Sequence, residues 1–286
     1  MDVSDTHTQK GRQARCPIAV SNIAWSGQKN EPFLDILAEE GAKGLELAAS
    51  IIWEEPVNAT AAQRSQFRRD IESRGLVING LHALLFARKD LQMLSLGEGS
   101  KQVREYLKRT VDVCADLGGK SLVFGGPRSR RRDDLPLAEA NKRSADVLHE
   151  VGTYAASKQC FIALEALPPP VCDFITNLSE SDEMVRMADT PGVRAHLDTG
   201  AADQTEGDIP ENRLIALLGE IGHCHVNDYD IAPPGSKTPA IHARWAQLLK
   251  AANYNGWLSI EMRSPDAASA AETVRNAIRF VHDHYQ

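Results

Sequence analysis

Short runs of β-branched and apolar residues alternate along the chain with longer stretches in which apolar residues recur every three or four positions. The short runs predict strands: PIAVSNIAW, GLELAA, LVINGLHALLF, SLVFGG, FIALEAL, VRAHLDTG, HCHVND and WLSIEM. Between them lie the helical patterns PFLDILAEEG, AQRSQFRRDIESRG, VREYLKRTVDVCADLGG, ANKRSADVLHEVGTYAASKQ, SESDEMVRMADT, ENRLIALLGEIG and IHARWAQLLKAANYNG, and DAASAAETVRNAIRFVHDHY closes the series. Gly41, Gly75, Gly118 and Gly256 follow helical runs as C-terminal caps do, and Ser179 with Asp182 has the spacing of a capping box. Strict alternation predicts parallel strands with right-handed crossovers, and eight units are the number that closes an α/β (β/α)8, or TIM, barrel. An open doubly wound sheet is the alternative, but no GxGxxG follows the first strand and FGGPRSR lacks the Lys-Ser/Thr of a phosphate loop. No composition shift or long linker divides the chain, so residues 16–286 are expected to form one barrel domain behind a disordered tail at 1–15.

In such a barrel the reactive groups sit at the C-terminal ends of the strands. From the fifth strand onward those ends carry Glu165, Asp198, His225 and Glu261. A single carboxylate at a strand end is ordinarily exposed or paired with a helix lysine; four polar ends on successive strands point to a shared purpose. Three carboxylates and an imidazole converging on a half-buried mouth are costly without a positive centre between them, and a divalent metal fills that need. Oxygen-rich ligation with one imidazole suits Mn²⁺ best, with Mg²⁺, Co²⁺ or Zn²⁺ as alternatives.

The period-two pattern places His196 beneath Asp198 and His223 beneath His225, where they either orient the ligands through hydrogen bonds or are ordinary core histidines. Both remain in the candidate substrate-binding set with Glu46, His82, Arg128 and Asp228, and Glu46 and His82 are expected to reach the mouth. Trp25 is a candidate wall of the pocket. The basic cluster Arg128, Arg130, Arg131 and Arg132 reads either as a solvated loop or as a grip on a phosphate or carboxylate.

Charge and composition narrow the partners. Lys and Arg number 32 against 39 Asp and Glu, a formal charge of −7, which opposes binding to nucleic acid. Five widely spaced cysteines with no CxxC pair argue against a disulfide framework or a zinc-thiolate site and suit a reducing cytoplasm. No apolar run approaches a membrane span and the first residues lack the apolar core of a signal peptide, so no membrane partner is expected.

The ordered set of Glu in ALEAL, Asp in HLDTG, His in HCHVND and Glu in GWLSIE resembles the sugar phosphate isomerase/epimerase group of the xylose-isomerase-like TIM barrel superfamily. VSNIAW in the first strand and LVFGGPRSR in the fourth are similar to segments of that group, and the likeness spans nearly the whole barrel. The resemblance implies Glu165, Asp198, His225 and Glu261 as metal ligands, with Glu165 and Glu261 also as acid/base catalysts. It implies a metal-dependent isomerase or epimerase of a sugar, sugar acid or polyol derivative, acting through an enediolate, in a homodimer or homotetramer. A dehydratase or lyase like inosose dehydratase is the alternative; an endonuclease IV-like enzyme and a non-catalytic sugar-binding barrel are weaker ones. Epimerase members of the group commonly carry a His three residues after the Asp of HLDTG, where it helps hold the substrate. Here Ala201 takes that place, and His242 stands where relatives often have Asp at the start of the seventh helix. The stiff PPPVCDF loop is expected to reshape the pocket through Cys172 and Asp173.

Overall fold

A computed structural model describes residues 15–286, so the tail expected at 1–15 lies outside the described residues except for Arg15. Eight parallel strands close into a barrel in sequence order. They are β1 Ile18–Ser21, β2 Gly44–Ala48, β3 Val77–His82, β4 Ser121–Phe124, β5 Phe161–Glu165, β6 Val193–Asp198, β7 His223–Val226 and β8 Leu258–Ile260. Closure comes from β1 pairing with β8, where Ala19 stands opposite Ser259.

The helices are α1 Glu31–Glu39, α2 Ala61–Glu72, α3 Gly97–Asp116, α4 Leu137–Ser157, α5 Leu178–Ala188, α6 Thr199–Thr205, α7 Glu211–Leu218, α8 Pro239–Ala251 and α9 Ala270–Tyr285. Each predicted strand and helix is present, but the strands are shorter than their apolar runs because polar groups at their ends begin the next turn. After β1, the Ser21 hydroxyl accepts from the Ile23 amide and opens a 3₁₀ turn over Asn22–Trp25. After β6, the Asp198 carboxylate accepts from the Ala201 amide at 2.8 Å and starts α6. The short α6 was hidden in sequence because its first residues continue an apolar run.

Gly41, Gly75 and Gly118 adopt the left-handed conformation expected of helix ends. At α8 that role falls to Asn253, with φ of 56°, rather than to Gly256. The capping box expected at Ser179 is also displaced: α5 is capped by Asn177, which accepts from the Glu180 amide at 2.9 Å, while Asp182 pairs with Arg186. A true capping box joins Thr60 and Gln63 at the start of α2.

The last helix packs Val274, Ile278 and Val281 inward against the first strand-helix unit, and Arg275 and Arg279 bridge to Glu39 at the end of α1 and to Glu40 just after it. No helix of the described residues is long and apolar enough to cross a membrane. Because Ile278 is fully buried and Arg279 lies at the surface, Ile278→Ala is expected to cost about 2–5 kcal/mol of unfolding free energy. In the same urea titration Arg279→Ala is expected to shift the midpoint far less, because an exposed ion pair is screened by solvent.

Candidate metal centre

The C-terminal ends of β5, β6 and β7 and the residue after β8 deliver Glu165, Asp198, His225 and Glu261 to one point. One ligand atom from each lies within 4.8 Å of all the others. The first three are buried and Glu261 is partly open. Gly125, after β4, makes room for this arrangement: a Cβ there would stand 1.5 Å from Glu165 Oε2. Arg130 is fully buried behind it and donates from Nη1 to the Glu165 backbone carbonyl at 2.6 Å.

Each member of the cluster is fixed by a partner. His225 Nε2 donates to Glu46 Oε2 at 2.9 Å, which leaves Nδ1 as the nitrogen facing the carboxylates. That Nδ1 stands 3.0 Å from Glu261 Oε2 and 4.0 Å from Asp198 Oδ2 without a well-aligned hydrogen bond to either. On the other side, His82 Nδ1 contacts Glu261 Oε1 at 2.9 Å and its Nε2 accepts from the Ser21 hydroxyl at 2.6 Å. Asp198 Oδ2 accepts from the Asn227 side-chain amide at 2.7 Å, and the same amide reaches the Glu261 carbonyl. Asn227 and Ser21 were not singled out in sequence; Asn227 follows a strand end directly, which was the available signal.

The charges are out of balance in a way that a cation corrects. Burial, then the neighbouring carboxylates of Glu261 and Asp198, push the Glu165 carboxyl well above its ordinary value. Burial and Glu261 push Asp198 up to about 6. Burial works against a charged His225, yet Glu46 and Glu261 on its two sides outweigh it and hold the imidazole protonated far above its usual range. Burial also opposes ionisation of Glu261, but His225 and His82 keep it charged. A strained proton on a buried acid, an unaligned imidazole nitrogen and three oxygen donors around one point fit a divalent ion.

One layer below, His196 stands opposite His223 in the β6–β7 register, as Asp198 stands opposite His225 above them. His223 Nε2 lies 2.9 Å from Glu46 Oε1, so Glu46 ties both β7 histidines together, and Ser259 donates to the same carboxylate. His196 is buried, its ring nitrogens have no hydrogen-bond partner among the described residues, and burial with the two neighbouring imidazoles lowers its pKa well below the usual value. It is a neutral ring packed edge-on against His225 at 4.3 Å between centroids.

A cavity of about 1000 Å³ opens above the cluster, with His82, Glu165, Asp198 and Glu261 in its lining. Arg128 also lines it, but the rest of the basic cluster disperses: Arg131 pairs with Asp133 and Arg132 donates to the Leu135 carbonyl. Four of the residues expected to meet substrate are not in the lining. Glu46 lies mid-strand and fully buried, and His196 and His223 are sealed beneath the ligands. Asp228 is turned away, accepting from the amides of Gly235, Lys237 and Thr238 and from His242, which in turn meets the Tyr285 hydroxyl. Trp25 is likewise not a wall of the cavity. Its 3₁₀ turn swings it into the core, stacked on Phe33 at 4.9 Å, and Ile23 and Ser26 line the cavity instead. Asp173 accepts from the Arg132 and Asp133 amides and Cys172 is buried, so Leu167, Pro168 and Val171 are what that loop offers the cavity.

A family model described as xylose isomerase-like TIM barrel matches residues 34–284. The chain belongs to this family. Among solved structures it is similar to D-psicose 3-epimerase from Clostridium cellulolyticum H10 (TM-score 0.79, 15% identity, 94% of this chain and 99% of that one). It is also similar to 3-keto-D-glucoside 4-epimerase from E. coli (TM-score 0.76, 20% identity, 94% and 100%) and to L-ribulose 3-epimerase (TM-score 0.77, 18% identity, 94% of each). No curated protein matches the chain in sequence.

Within the family fold, two outcomes follow from the geometry. A metal held by this cluster would need Glu165 and Asp198 as carboxylates and His225 Nδ1 without its proton, so Mn²⁺ affinity is expected to fall as pH drops through about 6, and binding is expected to release protons. Calorimetric titration at pH 5.5 and 8 in buffers of different ionisation enthalpy measures both. Glu46→Gln removes the charge that orients His225 and is expected to weaken Mn²⁺ binding by about 10–100-fold with the fold retained, read by the same titration and by circular dichroism.

Proposed function

We propose that this chain is a metal-dependent isomerase or epimerase of a sugar, sugar acid or polyol derivative. The observation that carries the reading is the pair Glu165 and Glu261, which come from strands separated by two others and meet at the inner end of one cavity. A divalent metal, Mn²⁺ by the donor set, would be held by Glu165, Asp198, His225 and Glu261 and would supply the Lewis acid that acidifies a C–H beside a carbonyl and stabilises the enediolate left behind.

The protein's own groups do the rest. One of the two carboxylates takes the proton from the sugar carbon, and the other returns one to the opposite face, which inverts the centre. His82 holds Glu261 at a fixed angle through the 2.9 Å contact, and Asn227 holds Asp198 so that it serves as ligand and not as competing base. Arg128, at the cavity wall, is placed to hold an anionic substituent of the substrate. The names of the structural neighbours, which are sugar 3- and 4-epimerases, support this reading. A reducing cytoplasm belongs to it too, since the five cysteines are unpaired.

Ketohexoses and a 3-keto-glucoside, incubated with the Mn²⁺-loaded protein in D₂O, test the proposal. Solvent deuterium is expected at the carbon beside the carbonyl in an epimeric product, with exchange slowed by about 100-fold or more in Glu165→Gln and Glu261→Gln. A product lighter by one water would assign elimination instead. Absence of exchange with every keto-sugar, with the metal shown to be bound, would overturn the proposal.

A further inference from the structure

The cavity is larger than the sugar it is proposed to hold. At about 1000 Å³ it has room for roughly thirty water-sized volumes, whereas a free hexose has a dozen heavy atoms. A sugar seated on Glu165, Asp198 and Glu261 therefore leaves more than half of the space above it.

The wall of that outer space is unusual for this protein's surface. Ile51, Phe86, Val171 and Tyr229 all line it, and they are four of the eight large apolar side chains that stand exposed among the described residues. They come from the segments after β2, β3, β5 and β7, so they ring the mouth and do not form a patch on one side of it. Leu85, Leu167 and Ile231 continue the apolar wall inward. Phe86 is 59% exposed, and the Arg128 guanidinium lies 6.0 Å from its ring centroid. The charged side chains of Glu54, Lys89, Asp230 and Arg263 share this rim, so the mouth offers apolar faces set between polar groups, which suits a ligand that carries a flat apolar part beyond its sugar; free monosaccharides are polar all round.

We infer that the outer half of the cavity is a subsite for an aromatic aglycone, so that the substrate is a keto-glycoside and not a free sugar. The inference rests on the sugar reading of the inner half. The aglycone would lie within this rim and displace water from the apolar faces of Phe86, Tyr229, Val171 and Ile51 that it meets, and this contact would set affinity while the carboxylates below would do the chemistry.

Calorimetric titration of the Mn²⁺-loaded full chain with methyl β-D-glucopyranoside and phenyl β-D-glucopyranoside, analogues that lack the carbonyl and so bind without reacting, tests it. The phenyl glucoside is expected to bind at least about fivefold more tightly. Phe86→Ala and Tyr229→Ala are each expected to reduce that preference while leaving Mn²⁺ affinity and Tm in place, which separates a lost contact from a lost fold. A preference below fivefold, a preference undiminished in both variants, or binding of neither glucoside overturns the subsite; a rim covered by a second copy of the chain would give the first of these. Loss of the phenyl preference with deuterium exchange intact removes the subsite alone, whereas absent exchange with the preference intact removes the proposed reaction alone.

Discussion

Three carboxylates crowded at the dry end of a barrel are the constraint around which the rest of this structure is arranged. Like charges at such distances repel strongly once water is withdrawn, and the protein meets the problem in two ways. Burial and the neighbouring carboxylates push Glu165 toward its protonated form, and Glu46 and Glu261 push His225 toward its charged form. A cation held between the four groups would make both protons surplus, so its binding and the release of protons would be one event.

The partners of the ligands follow from that constraint. Glu46 is the least exposed carboxylate of the group and would be the most expensive to ionise alone. It is ionised because His223 and His225 stand within 2.9 Å and Ser259 donates to it. The barrel therefore contains a polar layer of Glu46, His223 and Ser259 beneath the ligand layer, where apolar side chains usually fill the interior. Its effect is directional: by occupying Nε2 of His225 it turns Nδ1 upward. His82 and Ser21 do the same for Glu261 from the β1–β3 side.

Most of the fold and the four central residues were legible in the sequence because both rest on short-range regularities. Strand-helix alternation fixes the barrel, and period two along β6 and β7 places Asp198 and His225 above His196 and His223. What escaped depends on the path of the chain at and beyond the strand ends. Glu46 reads as a mouth residue until its depth is counted from the true end of β2 at Ala48, and the register beside it shifts between Leu45 and Glu46. Asp228 lies past the end of β7, where the backbone turns to bridge with Ala232 and directs the carboxylate to three amides and His242. Trp25 and the helix α6 were misplaced for the same reason, since a 3₁₀ turn and a side-chain cap each interrupt an apolar run that has no gap in composition. Asn227 is one residue from a named site and still invisible to spacing, because its role depends on reaching sideways to Asp198.

The two halves of the cavity have different origins, and this explains how a fold can match over 94% of the chain at 15–20% identity. The four clustered residues and most of their supports stand on or next to strands, whose positions are set by the barrel register. The rim comes from loops, which change without disturbing that register. At Ala201 this division becomes visible: it lines the cavity one helical turn beyond Asp198, where the epimerases that the sequence resembles commonly carry a histidine. Under the proposed function, a methyl group there would offer the sugar no polar contact and would widen the space above the carboxylates. The grip on substrate would then have to come from elsewhere, and Arg128 and the exposed rim side chains Phe86 and Tyr229 are placed to supply it.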